Sequence, residues 1–405
     1  MAPYSLLLVA FEEDRWGPAR LARPLSLAGF RVTALCPRGN VLARSRFLHD
    51  HYLLESVSSA ASVARSLSRA MRETATDLVI LGDERVVACL QAIARSGKRF
   101  ERFGVDRGLR EVIARSLGDP DRYPQMLFKT ECRKLATSLG VRTPPGFTVL
   151  SDEEPAERAD ELGYPVYVKA SLGSGGAGVV ACPDRDAMLA AIGSMKTRRP
   201  SWLRNLLRRR LWRDWYPSDA AVEVQKAITG QVATYCASAL DGRLLAGFGG
   251  LVTQTRSATG PSTRIELGRF PEMDAAATQL IKAFGASGFL GFDFIVEAAT
   301  GDTYLLECNA RVPPTAHLGP HVGADLCSAL ADAWRHGPGS PRLAAGSKNV
   351  MLFPQEWMRA PEGMESAGAF VDAPWSDPEL LVAMTARGLA DAAAASGRQG
   401  APPVE

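Results

Sequence analysis

Two carboxylates and an amide stand out for their spacing. In "GFDFIV", Asp293 sits between Phe292 and Phe294; in "YLLECNARVPP", Glu307 and Asn309 are two positions apart and Arg311 follows two further on. Side chains alternate between the faces of a strand, so Glu307 and Asn309 share one face. The turn "AATGDT" joins the two runs into a hairpin, which sets Asp293 across from Glu307 or Asn309. Two carboxylates and an amide oxygen are hard ligands of the kind that hold Mg2+, whose remaining positions go to water and phosphate oxygens. Arg311 could then neutralise charge on a transferring phosphoryl group or an acyl phosphate. The plainer reading is an edge strand with a polar solvent face, Asn309 and Arg311 holding a loop.

A second segment, "VKASLGSGGAGVV", places Lys169 at a strand end just before Gly173, Ser174, Gly175, Gly176 and Gly178. Glycines let backbone N–H groups curl round phosphate oxygens, and the lysine adds a point charge. No Lys-Ser/Thr closes the loop, so it is not a Walker A motif. On its own it reads equally as a flexible hairpin tip.

The elements around these residues fall into two patterns. Up to about residue 115, strands ("YSLLLVA", "FRVTALCP", "ATDLVILG") alternate with helices ("GPARLARPLSLAG", "VSSAASVARSLSRAMRET", "DERVVACLQAIARSG"), as in a parallel sheet with helical crossovers. No G-x-G-x-x-G follows the first strand. Near residue 125 the pattern changes to hairpins, one of them turning at Asp241-Gly242. The tail after 340 reads as mixed, with one strand in "KNVMLFPQEWM" and a helix in "DPELLVAMTARGLADAAAAS".

Taken together, "FKTECRKLATSLGVRTPPG", "VKASLGSGGAG", "VQKAITG" and the late hairpin resemble the ATP-grasp superfamily over roughly residues 5–340, in the manner of its carboxylate–amine ligases and with a biotin-carboxylase-like layout. The resemblance implies an α/β N-terminal Rossmann-like domain (1–115) and a two-part α+β ATP-grasp domain (116–340) whose lid spans about 150–226. A C-terminal extension (341–405) follows. It implies ATP as cosubstrate with Mg2+, for which Mn2+ can substitute. Lys129, Lys169, Ser174, Gly175 and Gly176 would meet the phosphates. Gln225, with backbone groups of Lys226 and Ile228, would meet adenine, and Gln231 the ribose. Asp293, Glu307 and Asn309 would hold the metal.

The implied reaction is ATP-driven activation of a carboxylate to an acyl phosphate, which an amine or amino acid then captures. Arg311, Lys169 and Arg264 are its catalytic candidates. In "TQTRSATGPSTRIELG", Arg256, Ser262 and Arg264 are candidates for the acid pocket, with a solvated loop as the alternative. Glu84, at the end of a strand in "LGDERV", is a candidate substrate contact; Asp83 before it reads as a helix N-cap. Two other readings stay open: a biotin-carboxylase-like carboxylase and a non-catalytic ATP-binding protein. His317 and His321 read as structural or pocket-wall residues, because no H-E-x-x-H surrounds them.

The remaining features set limits. A length of 405 residues favours two or three domains, and a net charge of +3 gives no reason to expect nucleic acid. Seven scattered cysteines without C-x-x-C read as buried small hydrophobes in a reducing cytoplasm. The opening "MAPYSLLLVAFEED" reads as a strand and not as a signal peptide. The basic, aromatic stretch 196–219 reads as a helical insertion that packs on the lid or a partner subunit; an anionic membrane or an acidic substrate are its other readings. A homodimer is one expectation for the tail.

Overall fold

The structure is a computed structural model. It describes residues 4–13, 15–150, 155–172, 178–197, 206, 221–256, 260–362 and 368–399, with side chains as far as 390. The described residues are mixed α/β and build three sheets.

The first sheet is parallel: β1 (Ser5–Val9), β2 (Arg31–Cys36), β3 (Asp50–Leu53) and β4 (Leu78–Leu81), in the order β3-β2-β1-β4. β1 and β4 are buried along their whole length, as strands covered by helices on both faces must be. The order places the carboxyl ends of β1 and β4 side by side, where the loop after β1 and the helix Glu84–Arg95 begin. Pattern reading missed β3, a short strand whose residues are mostly exposed.

The second sheet is antiparallel, with β5 (Gly146–Val149), β6 (Val166–Ala170), β7 (Val179–Cys182) and β8 (Val222–Lys226) in the order β5-β8-β6-β7. Val166, Val168, Val222 and Val224 pack with Met188 and Ile192 into a small core of its own. The alternation that buries these valines turns Tyr167, Lys169, Glu223 and Gln225 to the other face.

The third sheet is the largest. β9 (Gly230–Leu240), β10 (Arg243–Thr255), β11 (Ser262–Gly268), β12 (Gly288–Glu297), β13 (Thr303–Asn309), β15 (Lys348–Leu352) and β16 (Phe370–Asp372) run in the order β13-β12-β9-β10-β11-β15-β16, and β14 (Arg342–Leu343) pairs with β10. β9 and β10 turn at Asp241-Gly242, both with positive φ (49° and 77°), the geometry of a type I′ hairpin. The two larger cores each mix residues of the first and third sheets, so these pack as one body. The tail differs from its sequence reading. "KNVML" is a strand, but "QEWMR" is a helix (Gln355–Arg359), and β16 adds a further strand to the large sheet's edge. All of the basic insertion except 196, 197 and 206 lies outside the described residues.

Candidate active site

The hairpin β12–β13 delivers its three oxygen-bearing side chains to one face. Phe292 and Phe294 are buried in the core, so Asp293 must point away from it. Asp293 pairs with Glu307, and a bulge lets Leu305 pair with Phe294, returning the apolar side chains to the core. Asn309 Nδ2 donates to Asp293 Oδ2 at 3.0 Å and to Glu307 Oε1 at 3.4 Å. Burial, reinforced by the Glu307 charge, pushes the Asp293 carboxyl well above the usual carboxylate range. Burial acts upward on Glu307 too, but the Lys129 ammonium, the hydrogen bond with Asp293 and Lys169 outweigh it, so its net shift is down.

Among the described residues, no group of three or more His, Cys, Asp and Glu side chains could hold a metal; the set here is two carboxylates and an amide. It fits a hard divalent cation. Two facing carboxylates in a buried place favour protonation of one, and a cation between them would remove that conflict. The Asn309 amide would then turn its oxygen inward, since its nitrogen now faces both carboxylates.

The two lysines arrive from different elements. Lys129 opens the helix Lys129–Ser138, and its ammonium pairs with Glu307. Lys169 is the penultimate residue of β6, where Nζ donates to Gln225 Oε1 at 2.6 Å. Burial and the neighbouring Lys129 charge bring Lys169 down to about 8. The start of the Lys129 helix is tied to the second sheet: Lys129 N donates to Ser171 O at 3.0 Å, and Thr130 Oγ1 lies 2.9 Å from Ser171 Oγ. One turn on, Arg133 pairs with the buried Glu223 of β8. Sequence reading missed Glu223 and Arg133. The signal for Glu223 was its spacing of two from Gln225 on the same strand face.

Arg311 links the hairpin to the first sheet. Val312 N donates to Leu81 O at 2.8 Å, joining the chain to the end of β4. Arg311 is buried; its Nε donates to Glu84 Oε1 at 2.7 Å and its guanidinium reaches Asn309 Oδ1 at 3.4 Å. Arg15 pairs with Glu12 and lies 3.6 Å from Glu84 Oε2. Asp83 organises this corner. One carboxylate oxygen caps the helix at Val86 N, and the other accepts from Phe11 N and Glu12 N, which fixes the loop after β1. Gly291, opposite Asn309, packs closely on Pro313: a Cβ there would lie 3.1 Å from the Pro313 ring.

Other expected residues lie elsewhere or are engaged locally. Ser174, Gly175 and Gly176 lie outside the described residues. Lys226 Nζ donates to Leu162 O and its backbone N–H to Pro145 O, so that N–H serves the sheet. Ile228 is half-buried in the link from β8 to β9. Gln231 is exposed and donates to Val252 O at 3.2 Å. Arg256, Ser262 and Arg264 are on or beside β10 and β11, which lie beyond β9 from β12. Arg264 Nε donates to Glu356 Oε1 at 2.5 Å, and Glu356 also takes Arg359. His317 and His321 are pocket-wall residues. They line a cavity of about 500 Å³ between the helix Trp16–Leu27 and residues 370–380, where Asp372 accepts from Arg20 and faces His317 Nε2 at 2.9 Å. All seven cysteines are free, and six are buried.

This arrangement has relatives. Residues 129–205 match the family described as the carbamoyl-phosphate synthase L chain, ATP-binding domain. A carbamoyl phosphate synthase large chain from Sulfolobus acidocaldarius is 22% identical over 232 residues, which is 56% of this chain and 21% of that one. The chain thus spans only about a fifth of the length of that relative. Among solved structures, the biotin carboxylase domain dimer of Hydrogenobacter thermophilus 2-oxoglutarate carboxylase, in complex with MgADP, ADP and bicarbonate, aligns with a TM-score of 0.59 at 18% identity, covering 85% of this chain and 73% of that one. An L-amino acid ligase from Bacillus licheniformis aligns with a TM-score of 0.57 at 13% identity, covering 86% and 80%. The matched segment and the shared fold indicate the ATP-grasp superfamily. Among the described residues, no helix is long and apolar enough to cross a membrane.

Proposed function

We propose that the protein is an ATP-dependent carboxylate–amine ligase that forms an amide or peptide bond. The observation that carries this reading is the convergence of Lys129 from one helix, Lys169 from the second sheet and Arg311 from the third on the Asp293–Glu307–Asn309 face. A carboxylate and a triphosphate repel each other, and three cationic side chains around one point offset that repulsion.

A substrate carboxylate oxygen attacks the γ-phosphorus. A new O–P bond forms as the bond to the β–γ bridging oxygen breaks, and ADP leaves with the electron pair. The amine nitrogen then attacks the acyl carbon, the C–O bond to phosphorus breaks, and phosphate leaves as the amine gives up a proton. Lys129 and Lys169 hold the phosphates, and Arg311 faces the charge that shifts between the two steps. Asp293, Glu307 and Asn309 would hold magnesium, or manganese in its place, which supplies charge neutralisation on the phosphate oxygens. At the carboxyl ends of β1 and β4, Glu84 Oε2 is buried and accepts no hydrogen bond, its ion-pair neighbour Arg15 lying 3.6 Å away, which leaves it able to accept the N–H of an incoming amine. Arg256, Ser262 and Arg264 remain the proposed acid side of the cleft. A homodimer in the cytoplasm is proposed with them, the dimer on the analogy of the biotin carboxylase domain.

A phosphate-release screen pairing amino acids with small carboxylates, with mass detection of products, tests the proposal. A product whose mass equals acid plus amine minus water supports it. Turnover that needs biotin and bicarbonate would replace it with a carboxylase, the second reading that the shared fold favours. MgATP binding without phosphate release across the panel would leave a non-catalytic ATP-binding protein.

A further inference from the structure

We infer that Lys129 and Glu307 make this site discriminate metal-loaded from metal-free nucleoside triphosphate. The inference rests on reading the cleft as a nucleotide site.

One carboxylate is claimed by two cations. The Lys129 ammonium pairs with Glu307 Oε2, and both side chains are mostly buried, 14% and 20% exposed. The same Glu307 faces Asp293 and takes the Asn309 amide, so it also belongs to the cation-binding set. A triphosphate without its cation must draw Lys129 off Glu307. That leaves Glu307 beside Asp293 without its ion-pair partner, and breaking a buried pair from one side is costly. A triphosphate that brings its cation exchanges partners instead. The cation goes to Glu307, the phosphate goes to Lys129, and every charge keeps an opposite neighbour.

Lys169 provides the contrast within the same cleft. Its ammonium is held by the Gln225 amide oxygen at 2.6 Å, a neutral acceptor. Glu223 and Glu307 are within its electrostatic reach, but its direct partner is neutral, so moving Lys169 to a phosphate breaks no ion pair of the Lys129–Glu307 kind and the discrimination centres on Lys129. The two binding events are then coupled, and such coupling is reciprocal.

The test is equilibrium binding of ATP, measured by calorimetry in excess EDTA and again in excess Mg2+, on the full chain. Glu307→Gln keeps the side chain's shape and releases Lys129 without stranding a charge. It is expected to bind metal-free ATP about 10-fold more tightly than the wild type, within the lower part of the usual range of coupling. Asp293→Asn also removes a carboxylate but keeps the Lys129–Glu307 pair, so it is expected to gain much less. Thermal melts of both variants verify that they are folded. Equal gains in the two variants would reduce the effect to general charge and overturn the inference. So would an unchanged Glu307→Gln affinity for metal-free ATP alongside normal wild-type binding of MgATP. Failure of the wild type to bind MgATP at all overturns the nucleotide reading and this inference with it.

Discussion

Arg311 Nε donates to Glu84 Oε1 at 2.7 Å, across 227 positions of sequence. The contact ties the end of the ligand-bearing hairpin to the first turn of a helix that follows β4. Glu84 is therefore a partner of Arg311 first, and its Oε2, 3.6 Å from Arg15, accepts no hydrogen bond.

Glu84→Gln should keep the fold and loosen Arg311. A charge-assisted hydrogen bond of this kind contributes about 1.5–3 kcal/mol, so kcat should fall about 10- to 100-fold. If Glu84 acts by positioning Arg311, KM for ATP should change little and Glu84→Asp should restore part of the rate. Steady-state kinetics separate the two parameters, and a change confined to KM for the amine would instead mark Glu84 as a substrate contact.

The depressed Lys169 predicts a pH limit on nucleotide binding. Its folded value of about 8 lies below the ordinary 10.5, chiefly through burial and then Lys129, while Glu223 and Glu307 act in the opposite direction. Below pH about 8 it is an ammonium and contributes its charge; above that it is neutral, and ATP affinity should fall. Above pH 8, binding should therefore take up a proton, which calorimetry in buffers of different ionisation heat can read. The stability sign is opposite: the folded state binds fewer protons, so stability should rise between pH 8 and 10.5 as the cost of the buried ammonium is relieved. Lys169→Arg should flatten the affinity profile.

Asp293 is raised by burial and by Glu307, so its ionisation opposes folding. Stability should fall as pH rises from the ordinary 3.8 through its elevated folded range, with the full cost present at higher pH. Asp293→Asn should raise Tm at pH 8 and lose most of the metal-dependent turnover. A melt series against pH tests the first part, since the gain should vanish near pH 4.

Glu356 carries the opposite sign. It has no exposed surface, yet it lies under its two arginines and not deep within the protein. Burial acts to raise it, but Arg359, Thr263 and Arg264 together bring it down to about 2. Its stabilisation is present above its ordinary 4.5 and is lost as pH falls toward 2. Arg264→Ala should therefore cost about 1–3 kcal/mol of stability at neutral pH and shift acid unfolding to higher pH. Unchanged melting together with a raised KM for the acid would instead support the proposed place of Arg264 in the acid pocket.

Much of the site was readable before any coordinates, because the rules involved are local. Alternation in "VYVKA" requires Lys169 to oppose the buried valines, and alternation in "GFDFIV" requires Asp293 to oppose the two phenylalanines. Glycine after Asp241 announces its hairpin, and Asp83 before a helical run announces its cap. The hairpin turn brought Asp293 to Glu307 with no long-range information at all.

What lay beyond the sequence were the partners. Glu223 has one neighbour on its own strand and another on a helix 90 positions earlier, and only the docking of that helix chose Arg133. Glu356 with Arg264 and Asp372 with His317 depend on β15 and β16 joining the large sheet; the tail announced one strand, at β15, but neither β16 nor these pairings. Residue types, strand faces and caps follow from chain-local sterics and periodicity, so the sequence alone determined which side chains were available and which way they faced. Which carboxylate meets which cation depends on how three sheets pack, a cooperative outcome of burying many apolar residues at once. Only the tertiary structure decided that.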